Sequence, residues 1–306
     1  MTTILLFLLV LSVLVFVHEL GHFAVAKWSG MRVDEFGFGF PPKLIGIKRG
    51  ETEYTINWIP LGGFVRIHGE SGEEREDPRS FASKPMWKRF LVLIAGVTMN
   101  LLLAWALLSG GFMAGLPVSL DQQEYPGATI EQVSTQIVYI LPESPADAAG
   151  LKRGDEILSV NGTSVRDAEH ARELIGLVGQ GDTATLVIDR PEEQQDMVVD
   201  VVPDEIEEGL VAIGTQISTV GFASYPPIQA IGQGAVATWE LTDATVKGFW
   251  GIITSLVKGQ GPGVDLAGPV GIAAMTGEVA EQGFVFLLFF AALLSVNLAV
   301  LNVIPF

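Results

Sequence analysis

The stretch "VFVHELGHFA", residues 15–24, sets two histidines and a glutamate inside a run of apolar residues that begins at Ile4. Ionisable side chains are costly in a membrane-spanning segment, and where they occur they usually serve function. His18 and His22 stand at i and i+4, so on a helix both imidazoles project from one face. Two rings so spaced can hold one zinc ion, and Glu19 beside them can take a proton from a water that the metal activates. Haem ligation fits less well, because two histidines on one face do not supply ligands from opposite sides.

The surrounding chain explains why the run reads as a membrane helix. The 306 residues are 49% hydrophobic, with a mean hydropathy of +0.42. That apolarity concentrates in three runs, Thr3–Ala26, Phe90–Leu116 and Phe284–Ile304. Each suits a bilayer core that takes about 20 helical residues to cross. A cleaved signal peptide carries positive charge ahead of its apolar region. Here the first basic residue, Lys27, follows the run, so the first helix is expected to be retained with its N-terminus outside. Thr3 to His18 covers ~22 Å at the helical rise, which puts the motif past the bilayer midplane, towards the cytoplasm. There are no cysteines, so neither disulfides nor cysteine-metal sites are available.

Charge gives the orientation. Residues 27–89 hold 11 of the 18 lysines and arginines, which places them in the cytoplasm by the positive-inside rule. Residues 117–245 hold five basic against 22 acidic residues, a deficit equal to the whole net charge of −17. That block is expected outside the membrane, and its acidity argues against nucleic acid as a partner.

Between the first two runs, "KLIGIK" (43–48) and "ETEYTINWI" (51–59) read as a hairpin turning at Gly50. "GGFVRIHG" (62–69) reads as a further strand, "FGFGFPP" (36–42) as a turn, and the polar stretch from Gly69 as loop. His68 is expected to be solvated or packed rather than a ligand. Further on, "PADAAGL" reads as a short helix ending near Gly150, "KRGD" as a turn, and "EILSVNG" as a strand. A helix follows at "DAEHARELIGLV", then the strands "ATLVIDR" and "DMVVDVV". His170 on that helix has no metal-spaced partner. Trp239, Val246, Phe249, Trp250, Ile253 and Val257 recur at helical spacing and suggest an amphipathic helix on the outer membrane face. "GQGPGVDLAGPVGIA" reads as a Gly/Pro-rich connection.

Taken together, "HELGHFAVAKWSGMRVDEFGFGF", "INWIPLGGFVRIHGE", "GPVGIA" and "NLAVLNVIP", in this order, resemble the site-2 proteases, the intramembrane zinc metalloproteases. The likeness is to the bacterial regulator-of-sigma type, and residues from about 125 to 205 resemble a single PDZ domain. The resemblance implies a polytopic α-helical protein of the bacterial inner membrane. It has helices at 1–28, 90–116 and 283–306 and a membrane-associated β-hairpin region at 29–89 on the cytoplasmic side. An extracytoplasmic α+β PDZ segment at 117–205 and a connection at 206–282 complete it. It implies Zn²⁺ held by His18 and His22, Glu19 as catalytic base, and Gly62, Gly63, Asn302 and Pro305 as substrate-binding positions. It also implies single-span membrane proteins as substrates, such as anti-sigma factors and remnant signal peptides, with a peptide or protein C-terminus at the PDZ groove. The family's third ligand is an aspartate in an Asn-x-x-Pro…Asp-Gly pattern. Asn302 and Pro305 match its start, and the aspartate, with a fourth helix, is expected beyond Phe306. With two ligands in place of three, residues 1–306 alone are expected to be inactive. The alternative is an inactive, membrane-anchored PDZ adaptor. Asn297 is expected to bond a neighbouring helix, since a lone amide is costly in lipid.

The charge asymmetry generates a test that the cysteine-free chain makes simple. A cysteine placed at Thr163 should react with an impermeant thiol reagent on spheroplasts, and one in residues 43–59 only after lysis. The reverse pattern would invert the topology.

Overall fold

The computed structural model describes residues 2–72, 74–121, 123–190, 193, 196–207, 210–259 and 268–303. In chain order the helices are α1 (Thr2–Trp28), α2 (Met86–Ala114), α3 (Pro145–Ala148), α4 (Ala168–Gly176), α5 (Pro227–Val257), α6 (Pro269–Gln282) and α7 (Phe284–Val303). The strands are β1 (Val33–Arg49), β2 (Thr52–Ile67), β3 (Leu116–Ser119), β4 (Thr129–Ile140), β5 (Glu156–Val160) and β6 (Thr163–Ser164). They continue with β7 (Ala184–Asp189), β8 (Met197–Val201), β9 (Asp204–Glu207), β10 (Leu210–Ala212) and β11 (Thr215–Ser224). The chain forms two compact units, 1–114 with 226–306, and 115–225.

In the first unit α1, α2 and α7 are each long and apolar enough to cross a membrane. Small residues let these helices approach closely, the usual device where apolar burial alone gives no preference between helix and lipid. Gly21 of α1 is such a point: a Cβ there would come within 2.5 Å of the Ala95 carbonyl oxygen. On α7 the buried positions Ala292, Ser295, Val296 and Ala299 form one stripe, and the Ser295 hydroxyl donates to the Asn100 carbonyl on α2 at 2.8 Å.

β1 and β2 form more than a simple hairpin. The turn lies at Gly50 as the sequence suggests, with φ +66°, and residues 43–49 pair with 52–57. Residues 35–38 pair on one side with 53–56 and on the other with 63–66. The expected third strand is therefore the second half of β2, and the "FGFGFPP" stretch lies within β1 instead of forming a turn. Gly39, at φ +76°, lets the strand bend there: a Cβ would meet the Ile59 carbonyl oxygen at 2.6 Å. Segment 63–67 is left at an edge and lies along α1. Leu44, Ile45, Ile47, Ile56 and Trp58 are exposed at the other end of the ribbon.

His68 follows β2 and is packed, as expected. Its ring sits between Asp34 (3.4 Å), Glu74 (2.6 Å) and Asp77 (3.4 Å). The Arg79 backbone amide, which donates to Asp77, holds that carboxyl below its ordinary value.

α5 keeps Trp239, Val246 and Trp250 of its stripe exposed. It packs along α2 and α7, with Trp105 Nε1 donating to the Ile231 carbonyl at 2.8 Å and Gly234 against Ser109. Its 31 residues extend well upstream of the aromatic stripe that revealed it. "GPVGIA" opens helix α6 rather than a connection, since a proline in the first turn is compatible with helix. Gly277 of α6 sits against Thr3 of α1. Residues 260–267, including Asp265, fall outside the described residues.

The second unit is a seven-stranded sheet running β3-β11-β4-β5-β7-β8, with β6 on β5. The expected helix, turn, strand, helix and two strands all appear between 145 and 201. The boundary at 205 does not hold. β11 pairs with β4 through its length, so the unit runs to Tyr225. Its core gathers Ile137, Leu186, Ile188, Val201, Ile213 and Ile217 under α4. A pair that the sequence reading missed locks the turn at 150–155. Arg190 grips Asp155 through two bonds of 2.7 and 2.8 Å and donates to the Gly150 carbonyl at 3.0 Å. Both side chains are buried, at 7% and 1% exposure. Breaking a buried pair leaves a lone charge and costs about 3–5 kcal/mol. Asp155→Ala should therefore sharply accelerate amide hydrogen exchange across residues 184–190. Unchanged protection would show that the pair contributes little.

Candidate metal centre

The site forms where α1 crosses α2. Residues His18, Gly21 and His22 of α1 face Val92, Gly96 and Asn100 of α2, in antiparallel order. The spacing of four residues on each helix makes this possible, because residues one turn apart share a face.

The two imidazoles converge. His18 Nε2 and His22 Nε2 are 3.1 Å apart. Two nitrogens on one tetrahedral zinc at 2.0–2.1 Å stand ~3.3 Å apart, so the rings are already spaced for a shared ion. A ligating histidine donates its outer N–H to an acceptor, and of the two rings His22 has such a partner. His22 Nδ1 donates to the Val92 carbonyl at 2.7 Å, and His18 Nδ1 lies 3.3 Å from the Asn100 side-chain amide nitrogen. Gly96 makes the room. A Cβ there would lie 2.5 Å from both His18 Cε1 and His22 Nε2.

Glu19, between the histidines in sequence, points to the sheet. The Val65 backbone lies near its carboxyl group, so the edge segment of β2 and the glutamate meet. All three motif side chains are half-buried. Among the described residues no third histidine, aspartate or glutamate joins the two imidazoles as a ligand.

The other expected positions lie around this centre. Gly62 and Gly63 bring β2 onto α1 one to two turns before His18. At Gly62, φ +99°, a Cβ would meet Val15 at 2.6 Å, and at Gly63 the Gly37 carbonyl at 2.9 Å. Ser12 fastens the same join, donating to the Pro60 carbonyl at 2.6 Å and accepting from the Gly62 amide at 3.3 Å. Asn297 receives a hydrogen bond from Thr245 of α5 at 3.3 Å, as a helix-bonding amide should. Asn302 is exposed near the end of α7, two turns past Ser295. Pro305 lies outside the described residues. Among the described residues the His170 ring pairs with Arg166, in the other unit, at 3.3 Å.

The sequence reading gave no role to Gly96, Gly21 or Asn100. A signal was present: "GVTMN" places Gly96 and Asn100 one helical turn apart in the second run, as His18 and His22 are in the first. Gly96→Val should push both rings apart. Bound zinc should fall below a tenth of the wild-type content by metal analysis, while α2 stays helical. Full zinc content would show that the helices can spread without cost.

The profile of Peptidase family M50 matches residues 6–306. Three relatives, each named "Putative zinc metalloprotease", come from Clostridium perfringens (36% identical), Rhizobium meliloti (32%) and Nostoc (34%). The alignments cover 98%, 98% and 97% of this chain and 82%, 82% and 80% of theirs. A profile spanning nearly the whole chain and relatives of this similarity have one consequence: the chain belongs to Peptidase family M50, the site-2 proteases.

Proposed function

We propose that this protein is an intramembrane zinc metalloprotease that cuts the membrane segments of single-span substrates. The observation that carries this reading is the pair of Nε2 atoms 3.1 Å apart beside Glu19, within a helix long and apolar enough to span. The donor set suits zinc, for which neutral imidazole is a common ligand. His18 and His22 would hold the ion, and the third ligand would come from outside the described residues. Bound there, zinc supplies a Lewis acid that makes water easier to deprotonate near neutral pH.

The remaining work falls to the chain. Glu19 takes the proton as the nucleophile forms and passes it to the leaving amine. The edge segment 63–67 is suited to receive an unwound substrate as an added strand, because a helix conceals the carbonyl that must be attacked. Gly62 and Gly63 hold that edge close to the motif, and Asn302, with Pro305, contacts the substrate backbone. The apolar end of the ribbon, around Ile45 and Trp58, rests in the lipid on the cytoplasmic side. Residues 115–225 act as an extracytoplasmic PDZ unit that reads or restricts what reaches the helices. Anti-sigma-type regulators and remnant signal peptides fit this reading as substrates.

The glutamate decides between chemistry and scaffold. In the full-length protein Glu19→Gln should abolish cleavage of a membrane-embedded reporter while zinc content stays near one per chain. Wild-type cleavage by this variant would remove Glu19 from the mechanism. If the wild-type protein held zinc but cut no reporter, the adaptor reading would replace the protease.

A further inference from the structure

Asn100 is fully buried in α2, one turn beyond Gly96. Its main chain is committed to α7 through Ser295. Its side chain serves something else. The amide nitrogen is 3.3 Å from His18 Nδ1, and the amide oxygen is buried without a hydrogen-bond partner among the described residues. A buried, unpaired amide oxygen is expensive and calls for a reason.

One arrangement of protons suits these partners. A carbonyl only accepts, so His22 carries its proton on Nδ1, bonded to Val92. Its Nε2 then has a lone pair, and the 3.1 Å contact is His18 Nε2–H donating to it. A neutral His18 so protonated has its lone pair on Nδ1, where it accepts from the Asn100 amide nitrogen. The four groups form one consistent chain, with the amide oxygen left over. An ion held between the rings would require a different arrangement. Both Nε2 lone pairs are then needed, so the single proton of His18 belongs on Nδ1. The amide nitrogen cannot accept that proton, whereas the amide oxygen can, after a half-turn of the side chain.

We propose that Asn100 is the positioning residue for His18, presenting its nitrogen to the ring in the metal-free protein and its oxygen to Nδ1–H in the zinc-loaded one. The inference rests on the reading of His18 and His22 as zinc ligands. The ring gives up one proton at Nε2 and gains one at Nδ1, so it stays neutral with no net proton exchanged. An amide can serve both states because it carries a donor and an acceptor on one planar group. An ionised carboxylate offers only acceptors, and a charge at this depth would be costlier still.

The Gly96 main chain also approaches the His18 ring and is the competing partner. Two measurements on the full-length protein separate them. The first is zinc retention against a chelator, for wild type, Asn100→Leu and Asn100→Asp. Outer partners of ligating histidines are worth about 10–100-fold in metal affinity. The leucine variant should lose zinc by that factor, and the aspartate variant should stay within a few-fold of wild type because it restores an acceptor. Equal retention by Asn100→Leu, or equal loss by Asn100→Asp, would overturn the proposal. The second is nitrogen NMR of labelled histidines in the wild type. His18 should carry its proton on Nε2 without metal and on Nδ1 when zinc is added. An unchanged tautomer would overturn it too, whether or not the leucine variant folds. A wild type whose histidines do not respond to zinc would instead overturn the metal-site reading, and this inference with it.

Discussion

The close crossing of α1 and α2 is the constraint on which the site depends. Gly21 lets the first helix reach the Ala95 carbonyl, and Gly96 lets the second admit two imidazole rings. A side chain at either point would have to displace backbone or ring, and a span in lipid has little reserve for that. Helices in a bilayer gain little from burying apolar groups against each other rather than against lipid. Their contact is therefore paid for by fit and by a few polar bonds. Here Ser295 with Asn100, Thr245 with Asn297 and Trp105 with Ile231 supply such bonds.

The sheet meets the helices by the same rule. Ser12, deep in an apolar helix, is buried because it both donates to Pro60 and accepts from Gly62. That junction fixes the height at which the edge of β2 passes Glu19. The folded-back register brings three separate segments of the ribbon side by side. A motion of its apolar end would thus be felt at the edge beside the glutamate.

What was legible in the sequence was whatever repeats locally. The spans, the HELGH face, the hairpin turn at Gly50 and the order of elements from 145 to 201 all show in residues close along the chain. Long-range partners did not show. Arg190 lies 35 residues from Asp155 and Asn100 lies 82 from His18, so nothing in either neighbourhood marks them as pairs. β11 escaped because its Gly-punctuated run follows what reads as a strand end and pairs with a distant strand, and the upstream part of α5 because the aromatic stripe begins only at Trp239. "FGFGFPP" misled for a physical reason: Gly and Pro usually mark turns, but in a bent strand they serve the bend.

The two histidines are anchored in chemically different ways, and the difference bears on how this centre can change over time. His18 leans on a side chain, which a single codon can alter. His22 leans on the main-chain oxygen of Val92, which every amino acid possesses. No point substitution at 92 deletes that contact. It gives way only if the second helix kinks or slides. One arm of the centre is therefore open to gradual retuning by mutation at position 100. The other is inherited with the helix itself, and drift in side chains leaves it in place.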